Sequence, residues 1–194
     1  MKKKMLIVAA ATICLAAGAS GTLAYFTSEN TAHNVITSGG VNIEVVEKTK
    51  NTEGVLVDFP KEGMKGIMPG TDVSKIVSVK NTGESEVWIR VQVESVIKAA
   101  DGADLPLMIE NVGSVMTYTV GGGWSLGEDG YYYYDKPVAA GKTTDILFDT
   151  VTFAPQMGNE YQNCTANIEI SAQAVQTANN GKTVLEAKGW PAGN

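Results

Sequence analysis

From residue 41 onward, apolar residues return at every second position. Val41, Ile43 and Val45 alternate with Asn42, Glu44 and Val46. That period is the strand repeat, because successive side chains leave an extended backbone on opposite faces. A short strand is expected over 55–59, and Pro69-Gly70 marks a turn. A strand over 73–80 stops at Asn81-Thr82-Gly83. Residues 87–97 carry the strongest pattern, with Val87, Ile89, Val91, Val93 and Ser95 on one face and Trp88, Arg90, Gln92 and Glu94 on the other. Residues 81–86 join these two strands as a hairpin loop or as a sheet-to-sheet connection.

The middle is less regular. Residues 99–105 read as a polar loop, and 107–112 as a strand or a helical turn. Alternation resumes over 115–120 and runs into Gly121-Gly122-Gly123. Gly127-Glu128-Asp129-Gly130, between Trp124-Ser125-Leu126 and four tyrosines at 131–134, predicts a β-hairpin. Further strands are expected over 143–153 and 161–175. In the second, Ala166, Ile168, Ile170 and Ala172 alternate with Asn167, Glu169, Ser171 and Gln173. About nine strands with almost no helical periodicity predict an all-β fold: two packed antiparallel sheets of jelly-roll type. The tail 177–194 is polar. Residues 184–187 are expected to make one helical turn, and Trp190 to dock on the body.

The start of the chain has a different character. Lys2, Lys3 and Lys4 precede an uncharged run over 5–19, followed by Gly21-Thr22-Leu23-Ala24. A basic start, an apolar stretch and small residues before a cut site define an export signal. The strongly apolar part, 5–17, falls short of the roughly 20 residues a spanning helix needs. Cleavage is expected between Ala24 and Tyr25, with an uncleaved membrane anchor as the alternative. The organisation predicted is a signal peptide over 1–24, an N-terminal arm over 25–36, one β domain over 37–176 and a tail over 177–194. The protein is expected to be secreted and to work in the extracellular matrix or at the cell surface.

Composition narrows the function classes. Loss of the three leader lysines leaves 12 basic and 21 acidic residues, so the formal charge moves from −6 to −9. An acidic chain without a basic stripe is not expected to bind nucleic acid. Cys164 is the only cysteine after cleavage, so no internal disulfide is expected. It reads as a small buried hydrophobe, with pairing between chains as the alternative.

Candidate chemistry is sparse. A catalytic zinc site usually takes three protein ligands with histidine prominent among them, and the chain has one histidine, His33. A serine triad would need the same residue, and no Gly-x-Ser-x-Gly elbow occurs. Gly121-Gly122-Gly123 lacks the Lys-Ser/Thr of a phosphate loop. Asp101 with Asp104, and Glu128 with Asp129, match no calcium-loop spacing and read as solvated turns. No catalytic residue, metal ligand or cofactor is therefore expected. Trp124, Tyr131 and Tyr133 are candidates for an aromatic, sugar-stacking surface. Strand alternation instead sends two of the four tyrosines to the core side and two outward.

Several segments, taken in order, resemble the TasA and camelysin family of secreted proteins. Gly21-Thr22-Leu23-Ala24-Tyr25-Phe26 is similar to that family's cleavage region, and Thr37-Ser38-Gly39-Gly40-Val41-Asn42-Ile43 to its first core strand. Met68-Pro69-Gly70-Thr71-Asp72 with Val77-Ser78-Val79-Lys80-Asn81-Thr82-Gly83 resembles its Pro-Gly turn, strand and Asn-x-Gly turn. Asn159-Glu160-Tyr161-Gln162-Asn163, Ile168-Glu169-Ile170 and Ala174-Val175-Gln176 are similar to its closing strand. The resemblance implies export through a signal peptidase of the SipW type. It also implies a jelly-roll subunit of biofilm-matrix fibres, major or accessory, that polymerises head to tail with itself or with related matrix subunits. The arm freed by cleavage would become a strand of the next subunit, with Tyr25, Phe26, Thr27, His33, Val35 and Ile36 as donor-arm residues. Residues 25–36 contain no Pro or Gly and suit strand addition to an open sheet edge. Two alternatives remain: a camelysin-like cell-surface metalloendopeptidase acting through His33 and nearby acids, and a monomeric carbohydrate-binding module.

Overall fold

The computed structural model describes residues 40–191, together with the backbone of residues 27–31 and 34–36. The strands in chain order are β1 (Thr27–Thr31), β2 (Asn34–Ile36), β3 (Ile43–Lys50), β4 (Leu56–Asp58), β5 (Asp72–Asn81), β6 (Val87–Lys98), β7 (Met108–Ile109), β8 (Gly113–Ser114), β9 (Met116–Tyr118), β10 (Trp124–Leu126), β11 (Tyr132–Tyr134), β12 (Phe148–Phe153) and β13 (Thr165–Gln176). A 3-10 turn, Asn159–Tyr161, precedes β13, and no α-helix occurs among the described residues. The fold is the expected antiparallel two-sheet sandwich. One sheet has the order β10-β11-β6-β13-β1-β2 and the other β4-β3-β5-β12-β9, while β7 and β8 form a small separate pair.

The alternation seen along the chain becomes the core. Val77 and Val79 of β5, Ile89 and Val91 of β6, Phe148, Val151 and Phe153 of β12 and Ile168, Ile170 and Ala172 of β13 are all buried in one cluster between the sheets. Burying each such Val, Ile or Phe stabilises the fold by about 1.5–3 kcal/mol before chain entropy is counted. The central ladder is β6 with β13, paired without a break from Thr165↔Lys98 to Gln176↔Val87.

Residues 81–86 are a sheet-to-sheet connection, since β5 and β6 lie in different sheets. Asn81 fixes it: its buried side-chain amide donates to Ser85 O and Val138 O, both at 2.8 Å, and its Oδ1 accepts from Gly83 N at 3.0 Å. A Cβ on Gly83 would lie 2.7 Å from both Asn42 N and Gly40 O, so the backbone leading into β3 packs there only against glycine. The predicted hairpin is β10–β11, closed by Gly130 N donating to Gly127 O at 3.1 Å, with Gly130 at φ 82°.

Some expectations change. The count exceeds nine because β1 and β2 precede the domain and β8 is an additional short strand; 107–112 supplies the strand β7, paired with β8. Only 148–153 of the segment 143–153 is strand. Before it, Thr144 bonds Val79 through backbone and hydroxyl (2.9 and 3.0 Å), and the β12–β5 register shifts between Phe148 and Thr150. The segment 161–175 starts as strand only at Thr165, since the 3-10 turn and Asn163 at φ 59° occupy its first residues. In the tail, 183–187 make two tight turns, Glu186 N to Thr183 O and Ala187 N to Val184 O, in place of a helix.

Candidate strand-acceptor groove

The two margins of β13 differ in how they are filled. On one side lies β6. On the other, β1 pairs antiparallel with it from Thr27↔Val175 to Thr31↔Ser171, and β2 pairs back onto β1 from Asn34↔Thr31 to Ile36↔Glu29. At the far end Met64 bridges Ala166, donating to Ala166 O at 2.8 Å and accepting from Ala166 N at 3.2 Å. Residues 167–170 have no strand partner on this side among the described residues. An antiparallel strand turns the N–H and C=O of alternate residues to the same side. Because Ala166 faces Met64, Ile168 and Ile170 turn their backbone groups into the same gap.

That gap opens into a groove of about 420 Å³ between the sheets, lined by 44–48 of β3, 58–61, Lys75 and 167–171 of β13. β4 covers only Lys48–Lys50 of β3, so the sandwich is open along this flank. The floor is polar. Lys75 occupies the inward phase of β5 with Val77 and Val79 and is 1 % exposed. Its ammonium pairs with the Glu47 carboxylate and lies 3.8 Å from the Phe59 ring centre. Burial pushes the Lys75 ammonium below its usual value, and the Glu47 charge opposes that shift. A buried cation persists only with such a partner. Lys48 and Asp58 form an exposed ion pair of 2.5 Å at the rim.

Of the arm residues expected to act, Thr27 opens β1 and pairs with Val175 of β13, while Val35 and Ile36 lie in β2, one strand further out, opposite Asn30 and Glu29 of β1. Ala24, Tyr25, Phe26 and His33 lie outside the described residues, and with them the cleavage site. Lys75 and Glu47 were not singled out from sequence. The available signal was a lysine in phase with the apolar face of Val73, Val77 and Val79.

The aromatic surface is a correction. Trp124, Tyr131 and Tyr133 are buried and do not share one face. Trp124 belongs to the central core, beside Tyr134, and donates through Nε1 to Asp145 O at 3.1 Å. The expected split of the tyrosines holds: Tyr132 and Tyr134 pack inward, Tyr131 and Tyr133 outward. The outward pair is covered because the tail folds over it, with Val184, Ala187 and Trp190 closing a second small core on Trp88 and Val175. Arg90 sits inside that cover, 3.9 Å from the Tyr131 ring and 4.8 Å from Trp190. It donates to Gln173 Oε1 (2.9 Å), Asp129 Oδ2 (3.2 Å), Tyr133 Oη (3.1 Å) and Pro191 O (3.4 Å). Burial raises the Tyr133 hydroxyl above its ordinary value. A guanidinium with this many partners holds the tail in place over Tyr131 and Tyr133.

Cys164 is buried as expected, and burial raises its thiol. Among the described residues no three His, Cys, Asp or Glu side chains converge on a point that a metal ion would occupy. Compared with known proteins, the chain matches no family model, no curated protein and no solved structure.

Proposed function

We propose that this is a secreted structural protein, a subunit or accessory of extracellular biofilm-matrix fibres, assembled by donor-strand exchange. The observation that carries the reading is the seating of β1. The arm joins the sandwich at its margin, β1 by backbone pairing with β13 beside the groove between the sheets. Backbone pairing does not depend on which molecule supplies the strand, so a neighbour's arm fits the same lane. Repetition of that exchange is head to tail and does not close, which gives a filament. The leader supports export, and its removal frees the arm. The resemblance to the TasA and camelysin family supplies the matrix setting.

The test compares the mature chain beginning at Tyr25 with the same chain lacking residues 25–34, by negative-stain microscopy and size-exclusion chromatography. The first is expected to form fibres and the second to remain a folded monomer. Fibres of equal abundance from the shortened chain would overturn the proposal.

A further inference from the structure

The tail is pinned to the sandwich through one amide. Asn180 is 2 % exposed. Its Nδ2 donates to Gln176 O and Lys188 O, both at 3.0 Å, and its Oδ1 accepts from Lys188 N at 2.8 Å. Its backbone carbonyl accepts from Trp88 Nε1 at 3.1 Å. The end of β13, the far end of the tail and the second small core thus meet at this residue. An amide offers two donors and an acceptor on a short side chain, which a carboxylate or a hydroxyl does not. The next residue is constrained as well. Gly181 has φ 73°, and a Cβ there would lie 3.0 Å from both Ala187 N and Glu186 C, so the turn takes glycine. The two demands together produce Asn180-Gly181, the only Asn-Gly step in the sequence.

That step is chemically labile, because glycine leaves the following backbone nitrogen unshielded beside the asparagine side chain. We infer that Asn180 is a deamidation site gated by the tail, and that its conversion releases the tail from the sandwich. Gly181 N gives up its proton and bonds to Asn180 Cγ. The Cγ–Nδ2 bond breaks, and the nitrogen takes up a proton and leaves as ammonia. Water then opens the cyclic imide to aspartate or isoaspartate, with no change of oxidation state. In the docked tail the amide is held by its three bonds and shut away from water, so the reaction waits for a local opening. After conversion a carboxylate oxygen stands where Nδ2 stood, facing the carbonyls of Gln176 and Lys188 with no proton to offer. A buried, unpaired charge and the lost donors oppose docking. Release uncovers Trp88, Tyr131, Tyr133 and Val175 and takes the Trp190 ring and Pro191 O away from Arg90. The switch is slow, needs no enzyme and runs one way.

The test uses the chain beginning at Tyr25 and two variants. Peptide mass spectrometry during incubation at mildly alkaline pH reads conversion at Asn180. Trypsin cleavage after Lys182 and Lys188 reads the tail, and urea denaturation reads the sandwich. The parent is expected to keep its amide and to resist trypsin at both lysines. Trp190→Ala removes the ring that rests on Arg90 and leaves every partner of Asn180 in place. It should convert at Asn180 about tenfold or more faster than the parent. Asn180→Asp should be cut at both lysines about tenfold or more faster than the parent, with the sandwich still folded. The parent aged until its amide is lost is read in the same way, so the result stands even if Asn180→Asp does not fold. Equal conversion in the parent and Trp190→Ala would overturn the gating. Trypsin resistance in the converted protein would overturn the release.

Discussion

The two margins of β13 are made of the same twelve residues and have opposite characters. Toward β6 every residue has a partner, from Thr165↔Lys98 to Gln176↔Val87. Toward the arm, five residues pair with β1, Ala166 bridges Met64, and the stretch between them faces a groove. The first margin belongs to the core; it cannot open without exposing Ile89, Val91, Ile168 and Ile170 together. The second is held by the backbone pairing of β1 and lies outside the β6–β13 ladder. A fully paired margin and a partly paired one are thus separated by the width of a single strand.

The largest expected effect comes from the groove floor. Glu47→Ala strips the buried Lys75 of its partner and should lower stability by about 3 kcal/mol, read from urea denaturation. Replacing both, with Lys75→Met and Glu47→Leu, should recover most of the loss. A single variant as stable as the parent would mean that the open flank is not sealed by this pair.

Amide exchange separates the margins directly. Removal of residues 25–36 should speed exchange at Ala172 and Ala174, whose N–H groups face β1, by about tenfold or more. The Ser171, Gln173 and Val175 amides, which face β6, should stay slow. Equal acceleration at all five would erase the distinction between the two sides.

The smallest effect concerns pH. Burial holds Tyr118, Tyr133, Tyr134 and Tyr161 above the ordinary value of 10.0. Above about pH 10 the unfolded chain releases protons that the folded protein keeps, so stability falls as pH rises. Lys75 acts in the other sense. Its folded value is lowered from 10.5, so in the window below 10.5 the unfolded chain binds the extra proton and stability rises with pH. Lys75→Met should therefore make the alkaline decline begin earlier and run steeper in a denaturation series through about pH 8 to 11.

Much of the sandwich was legible in the alternation. The faces of β6 and β13, the Gly127–Gly130 hairpin, the inward and outward tyrosines and the burial of Cys164 all follow from period two and from turn chemistry. The short pairs β7–β8 and β9 were harder, because two or three residues carry too little pattern. The burial of Tyr131 and Tyr133 was partly hidden: alternation turned them outward, and only the tail, more than 40 residues later, covers them. Trp190 was expected to dock, but nothing local showed that Arg90 would be its partner. The groove was the least visible feature. Lys75 falls on an apolar face, yet its partner Glu47 lies 28 residues away on another strand.

By itself the chain determined the kind of element at most positions, the side of each strand that turns inward, and a polar stretch over 25–36 without Pro or Gly. Those follow from side-chain chemistry at fixed spacing along the backbone. Tertiary structure decided which strands are neighbours, which margin of β13 is left to the arm, and where the sandwich stays open. Strand pairing runs through backbone groups that every residue shares, so the choice of partner comes from global packing and the tether lengths of the connections.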